Sequence, residues 1–273
     1  MADSTITLGY GGGGWIDDEQ VLITSGSFSV DWQRATYQPT TTPRSELSRT
    51  KVIYSKGTKV LSGSLSFELL NSQATASFLN GIFTRGRGHD LVIHDGHRGR
   101  ELTSLLNKLY LSSASISSSP GSLVSVQLGA SARTYLGGLS QNTSVTPEYQ
   151  LMEDPLVYFD TGNEGVTDWS LSWSQEITPV YANSYDVSGN EDGSSPMYFR
   201  YGPIEFTYEI TTVQEQYQHT DLYIGNAYVQ LYGFTQSAAY NYGGQNEFGN
   251  YTHSFNSAGR FANSRIISIT DIS

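Results

Sequence analysis

Polar and apolar residues alternate strictly along two stretches of the chain, and both stretches return later at the same displacement. Phe28-Ser29-Val30-Asp31-Trp32 reappears as Trp169-Ser170-Leu171-Ser172-Trp173, and Leu65-Ser66-Phe67-Glu68-Leu69 as Phe206-Thr207-Tyr208-Glu209-Ile210, each 141 residues on. Period-2 alternation is the mark of a strand with one buried face, so four such strands are predicted. Leu123-Val124-Ser125-Val126 matches Ile266-Ile267-Ser268-Ile269 at a displacement of 143. These matches divide the chain into two tandem modules, residues 15–130 and 156–273, the second including its lead-in, joined by a Gly/Ser/Thr-rich linker over 131–155.

Between the alternating strands and the module ends the period changes. Ala74, Phe78 and Ile82 fall on one side of a helix that Asn71 or Ser72 can cap. Val213, Tyr217 and Leu222 give an approximate counterpart over Thr212–Tyr223, so one short helix per module is predicted. Leu91-Val92-Ile93 reads as a strand matched by Tyr228–Leu231. Lys108–Ser117 and Leu123–Leu128 read as a hairpin around Ser118-Ser119-Pro120-Gly121-Ser122. The second module closes with Tyr251–Phe255 and Arg265–Ile272. Residues 1–14 end in four glycines, too flexible for a strand, and read as a mobile arm. The fold class is therefore mainly β: two tandem β-sandwich or open-barrel modules, each with a helix laid against it.

Two long connections occupy the same place in both modules, residues 34–58 and 175–200. Loops of that length are commonly functional. They carry the apolar pieces Val52-Ile53-Tyr54 and Met197-Tyr198-Phe199, which need something to pack against.

Composition narrows the chemistry. The chain has 273 residues, 28 glycines, 19 tyrosines and no cysteine, which excludes disulfides, thiolate metal sites and a cysteine nucleophile. Its start has no basic and apolar leader, and nowhere do 18 apolar residues run together. The net charge of −11 is lopsided: residues 1–140 hold 12 Lys+Arg and 10 Asp+Glu, residues 141–273 hold 3 and 16. Such acidity argues against gripping nucleic acid, which needs basic residues. No phosphate-binding loop, nucleophile elbow or zinc-protease motif is present. His94 and His97, with His89 nearby, lack a third ligand at a recognisable spacing. Arg85, Arg87, Arg98 and Arg100 stand beside Asp90, Asp95 and Glu101, which favours a solvated or interface loop over an anion site. No metal, cofactor or catalytic residue is assigned. Tyr240 and Tyr242 keep a carbohydrate-binding adhesin or fibre domain open as another class, with a glycosidase as a more distant one.

The strand Gly26–Trp32, the long loop after it, the strand Gly63-Ser64-Leu65-Ser66-Phe67-Glu68, the short helix and the hairpin from Ser115-Ile116 to Val124–Val126 together resemble the tail tube proteins of tailed bacteriophages. The resemblance implies modules standing side by side, their sheets merged into one inter-subunit barrel, with rings stacked into a tube through which DNA is ejected. It implies a virion protein made in the host cytoplasm and not held in a membrane. It further implies a homo-oligomer, with trimeric pseudo-hexameric rings favoured by the duplication and a hexamer the alternative. Partners would be other tail proteins: tape measure, baseplate hub, terminator, and a sheath if the tail contracts. DNA would pass without specific binding, and a tail hub or terminator component is the alternative role.

On this reading the polar faces line the lumen: Ser27, Ser29, Asp31, Ser64, Ser66 and Glu68 in the first module, Ser170, Ser172, Glu205, Thr207 and Glu209 in the second. None is basic, so such a wall repels phosphate. Val52, Ile53, Tyr54, Met197, Tyr198 and Phe199, on the long loops, are the expected contacts between rings.

Overall fold

A computed structural model of the chain describes residues 6–7, 12–17, 19–33, 36–37, 53–54, 57–69, 75–83, 88–95, 100–119, 121–132, 157–159, 165–181, 195–213, 221–232, 235–243, 249–259 and 267–272. In chain order the first half contains β1 (Ile6–Thr7), β2 (Gly12–Ile16), β3 (Glu19–Gln33), β4 (Thr36–Tyr37), β5 (Ile53–Tyr54), β6 (Thr58–Glu68), α1 (Thr75–Ile82), β7 (Gly88–Asp95), β8 (Arg100–Ser118) and β9 (Ser125–Ala132). The second contains β10 (Val157–Phe159), β11 (Val166–Val180), β12 (Tyr198–Thr212), β13 (Asp221–Ile224), β14 (Ala227–Leu231), β15 (Thr235–Asn241), β16 (Asn250–Gly259) and β17 (Ile267–Asp271).

The protein is mainly β, with a closed six-strand barrel and further strands attached to it. The barrel runs β8-β7-β2-β3-β6-β9 and closes by pairing β9 with β8. Its strands form as their alternation dictates: Phe28, Leu61, Leu65, Phe67, Ile116, Val126 and Leu128 are buried, while the residues between them face outward or lie only partly covered. Each large side chain buried this completely contributes about 1.5–3 kcal/mol. The β8–β9 hairpin turns at Gly121, whose φ of 76° suits glycine. Ser119 and Ser122 close the turn by exchanging hydrogen bonds.

β8 is long enough to serve two partners on one edge. Its first part pairs with β7, and Ser113–Ser118 pair with Trp169–Ser174 of β11. The sheet then continues through β12 and β16 to β15. Trp169, Trp173, Phe206, Tyr208, Ile210 and Phe255 turn their buried face into the same core as the barrel residues. A second sheet, β10-β13-β14-β17, lies apart from the first. Helix α1 joins the halves: it contacts β14 and β17, Phe78 meets Phe67 edge-on, and Phe83 just beyond the helix stacks on Phe206 at 6.3 Å. In its first turn the backbone N–H of Ala76 donates to Asn226 Oδ1 across 150 residues of sequence.

Three expectations require correction. The glycine run is not wholly an arm, because Gly12–Gly14 belong to β2, paired with β3 on one side, and Gly14 also with β7 on the other. Pairing with β3, joined at Gly14 by pairing with β7, outweighs the entropy that disfavours glycine in strands. The second helix is replaced by strand at both ends: Thr212 closes β12 and Asp221–Tyr223 open β13, with 214–220 outside the described residues. The match of Val124–Val126 to Ile267–Ile269 does not mark equivalent places, since β17 pairs with β14 while β16 is the neighbour of β12. The linker beyond Ala132, and the middle of both long loops, lie outside the described residues.

Candidate functional site

One end of the large sheet presents eight strands in the order β3-β6-β9-β8-β11-β12-β16-β15, every neighbouring pair antiparallel. The order is a four-strand unit used twice: β3-β6-β9-β8, then β11-β12-β16-β15. β15 therefore stands in the second unit where β8 stands in the first.

The register aligns the polar residues in rows across these strands. One row runs Glu68, Ser125, Ser117, Ser170, Glu209, Ser254, Ser237, from β6 to β15. Its neighbour contains Ser66, Gln127, Ser115, Ser172, Thr207 and Asn256, and the next Ser27, Ser64, Gly129, Ser113, Ser174 and Glu205. Ser29 and Asp31 extend the face along β3 and are exposed. The structure thus brings all eleven residues expected on the lumen side to one face, the one opposite the core. The basic residues with described side chains, Lys59, Lys108 and Arg200, stand outside these rows: Lys59 lies over the Trp32 ring and Lys108 pairs with Asp90 at 2.6 Å.

Glu68 and Glu209 share a row four strands apart, about 19 Å at the usual strand spacing. That is too far for a glycosidase pair, whose carboxyls lie about 5–9.5 Å apart. Both line an open groove of about 550 Å³ with Asp168, Trp169 and serines of the β8–β9 turn. Glu209 is exposed and Glu68 half-buried. Burial holds the Glu68 carboxyl above its ordinary value, partly offset by Ser125 Oγ, which donates to Oε1 at 3.4 Å. Its Oε2 is shielded and has no hydrogen-bond partner. A carboxylate whose folded value is raised favours the fold when protonated, and that contribution is lost as pH rises through the raised value. Glu68→Gln is therefore expected to be more stable than the parent at pH 7, the difference shrinking below about pH 4. Urea midpoints across pH check this, and a constant difference would contradict it.

The loop residues separate. Met197 and Tyr198 are exposed where the β11–β12 hairpin ends. Phe199 is buried against Tyr110 at 4.9 Å and so is withdrawn as an outward contact. The alternation of β11 continues to Val180 and pairs with Tyr198, which shortens the connection expected over 175–200. Ile53 and Tyr54 form β5, paired with β4, while Val52 lies outside the described residues.

Buried His89 is held through Nδ1 by Asp17 Oδ2 at 2.6 Å; His97, Arg85, Arg87 and Arg98 lie outside the described residues. Among the described residues no acidic or histidine group is placed to hold a metal, and no helix is long and apolar enough to cross a membrane. Tyr240 packs edge-on against Tyr242 at 4.8 Å and tilted against Tyr251 at 4.6 Å.

What sequence reasoning missed is the contribution of β8, β9, β15 and β16. The alternating serines of Ser113–Ser117 signal it, but their place beside β11 depends on pairing that no period encodes. No protein-family model matches the chain, and no curated protein matches it.

Proposed function

We propose that the chain is a structural subunit of a phage virion tail tube, forming stacked rings around a lumen through which DNA is delivered, without catalysis. The observation that carries this reading is the eight-strand arc whose three polar rows contain no basic residue, Arg200 standing beyond them, and which ends in an edge strand on each side. Among the described residues no strand pairs with the outer edge of β15, and β1 is the strand paired with the outer edge of β3 beyond Ile23. Such edges invite another chain. Because eight strands alternate in direction, β15 of one copy and β3 of the next meet antiparallel, so a ring of identical arcs is antiparallel throughout.

Three arcs, with strands about 4.8 Å apart and tilted about 40°, close at a diameter of about 50 Å, wide enough to pass a DNA duplex. The row spacing supports the pseudo-sixfold form: Glu68 and Glu209 hold the second place in their four-strand units, so in such a ring six carboxylates stand at equal intervals. Met197 and Tyr198 are left to meet the adjacent ring, and the other tail proteins cap and fill the tube.

Negative-stain microscopy and native mass spectrometry of the purified chain are expected to give rings with a central hole and three chains each. Monomers under every condition would overturn the reading. Six chains per ring would keep the role and remove the pseudo-sixfold arrangement.

A further inference from the structure

The chain contains a template for its own junction with the next copy. Within one molecule, Ser113–Ser118 of β8 cover Trp169–Ser174 on the edge of β11 that faces away from β12. Shifted back by the repeat of 141, that covered edge is Phe28–Gln33 of β3, on the side facing away from β6. The strand equivalent to β8 is β15, and the β15 that can reach this edge belongs to a neighbouring copy.

Part of the edge is already taken. β1 pairs antiparallel with β3, Ile6 opposite Phe28 and Thr7 opposite Ser27, while Gly63 and Ser64 of β6 hold the other side of the same two residues. Phe28 corresponds to Trp169, which in the internal junction faces Ser118. A strand edge has one row of N–H and C=O groups, so it accepts one partner at a time.

We propose that β1 is a removable cap, occupying in the single chain the β3 edge that β15 of a neighbouring copy pairs with in the ring. An uncovered edge aligned with Phe28–Gln33 would template uncontrolled pairing, and a two-residue strand is short enough to be displaced by the seven residues of β15. The cap makes assembly a strand exchange and not a simple addition. This rests on the tube reading.

The chain has no cysteine, so Thr7→Cys with Ser27→Cys offers one disulfide between facing residues whose separation suits it. In the full chain, the oxidised variant is expected to remain monomeric in sedimentation and microscopy, and reduction to restore rings at the parent's concentration. Removing residues 1–8 is expected to lower the concentration at which rings form several-fold. Equal ring formation by oxidised and reduced protein, failure of the disulfide to form in folded protein, or an unchanged onset after the deletion would overturn the cap while leaving the tube reading in place. Absence of rings from every form, the parent included, would overturn both.

Discussion

Gly63→Val is expected to lose at least about 3 kcal/mol of folding stability, enough to leave a domain of ordinary stability largely unfolded at moderate denaturant. Gly63 lies in β6 directly opposite Phe28, and its other edge is held by Ala130 of β9. A Cβ placed there would stand 2.7 Å from the Phe28 Cα and 2.6 Å from its ring. The obstacle includes backbone fixed on both sides by ladder hydrogen bonds, so rotation of one side chain gives no relief. A urea midpoint equal to that of the parent would contradict this account.

If the tube proposal holds, Glu68→Lys combined with Glu209→Lys is expected to give rings that retain DNA where the parent's do not. Each exchange replaces a negative by a positive charge in a row that otherwise holds only serines between β6 and β15, and in a threefold ring the six sites would be evenly spaced. Substitution at exposed Glu209 costs within about half a kcal/mol. At half-buried Glu68 the longer lysine stem reaches out of the groove and takes its charge to water. Assembled double-variant tubes are expected to hold duplex DNA at low salt and release it steeply as salt rises, and a phage carrying them to deliver DNA more slowly. DNA binding no tighter than the parent's at low salt, together with normal delivery, would remove the lumen assignment.

The sequence showed which faces are buried better than which strands are neighbours. Alternation in β3, β6, β11 and β12 named their buried faces correctly, and the helical spacing of Phe78 and Ile82 located α1, because periodicity reports how a segment meets water. It carries no information on partners. Hence the polar row was legible as separate pieces, Ser64-Ser66-Glu68 and Ser170-Ser172, while the serines of β8 and β9 that join them were not placed between them. β15 was missed as a strand because all seven residues are exposed, which leaves no apolar face to read. The ends of the helix expected over Thr212–Tyr223 are strand for the opposite reason: Val213 and Leu222 fit a helical stripe, yet Leu222 and Ile224 alternate with partly exposed neighbours in β13, residues 214–220 lying outside the described ones. The glycines of β2 illustrate a third limit, since their strand is imposed by β3 and β7 and by nothing local.

The placement of α1 sets a rule of counting. The Ala76 N–H in its first turn is held by Asn226, Phe83 lies on Phe206, and β14 and β17 contact it, while buried Gln175 of β11 donates to the Leu111 carbonyl of β8. The two four-strand units are thereby locked into one piece before any copies meet. A ring made from this chain can gain or lose units only in pairs, so closures of five or seven units, reachable by a single-unit protein through one misplaced copy, have no route here.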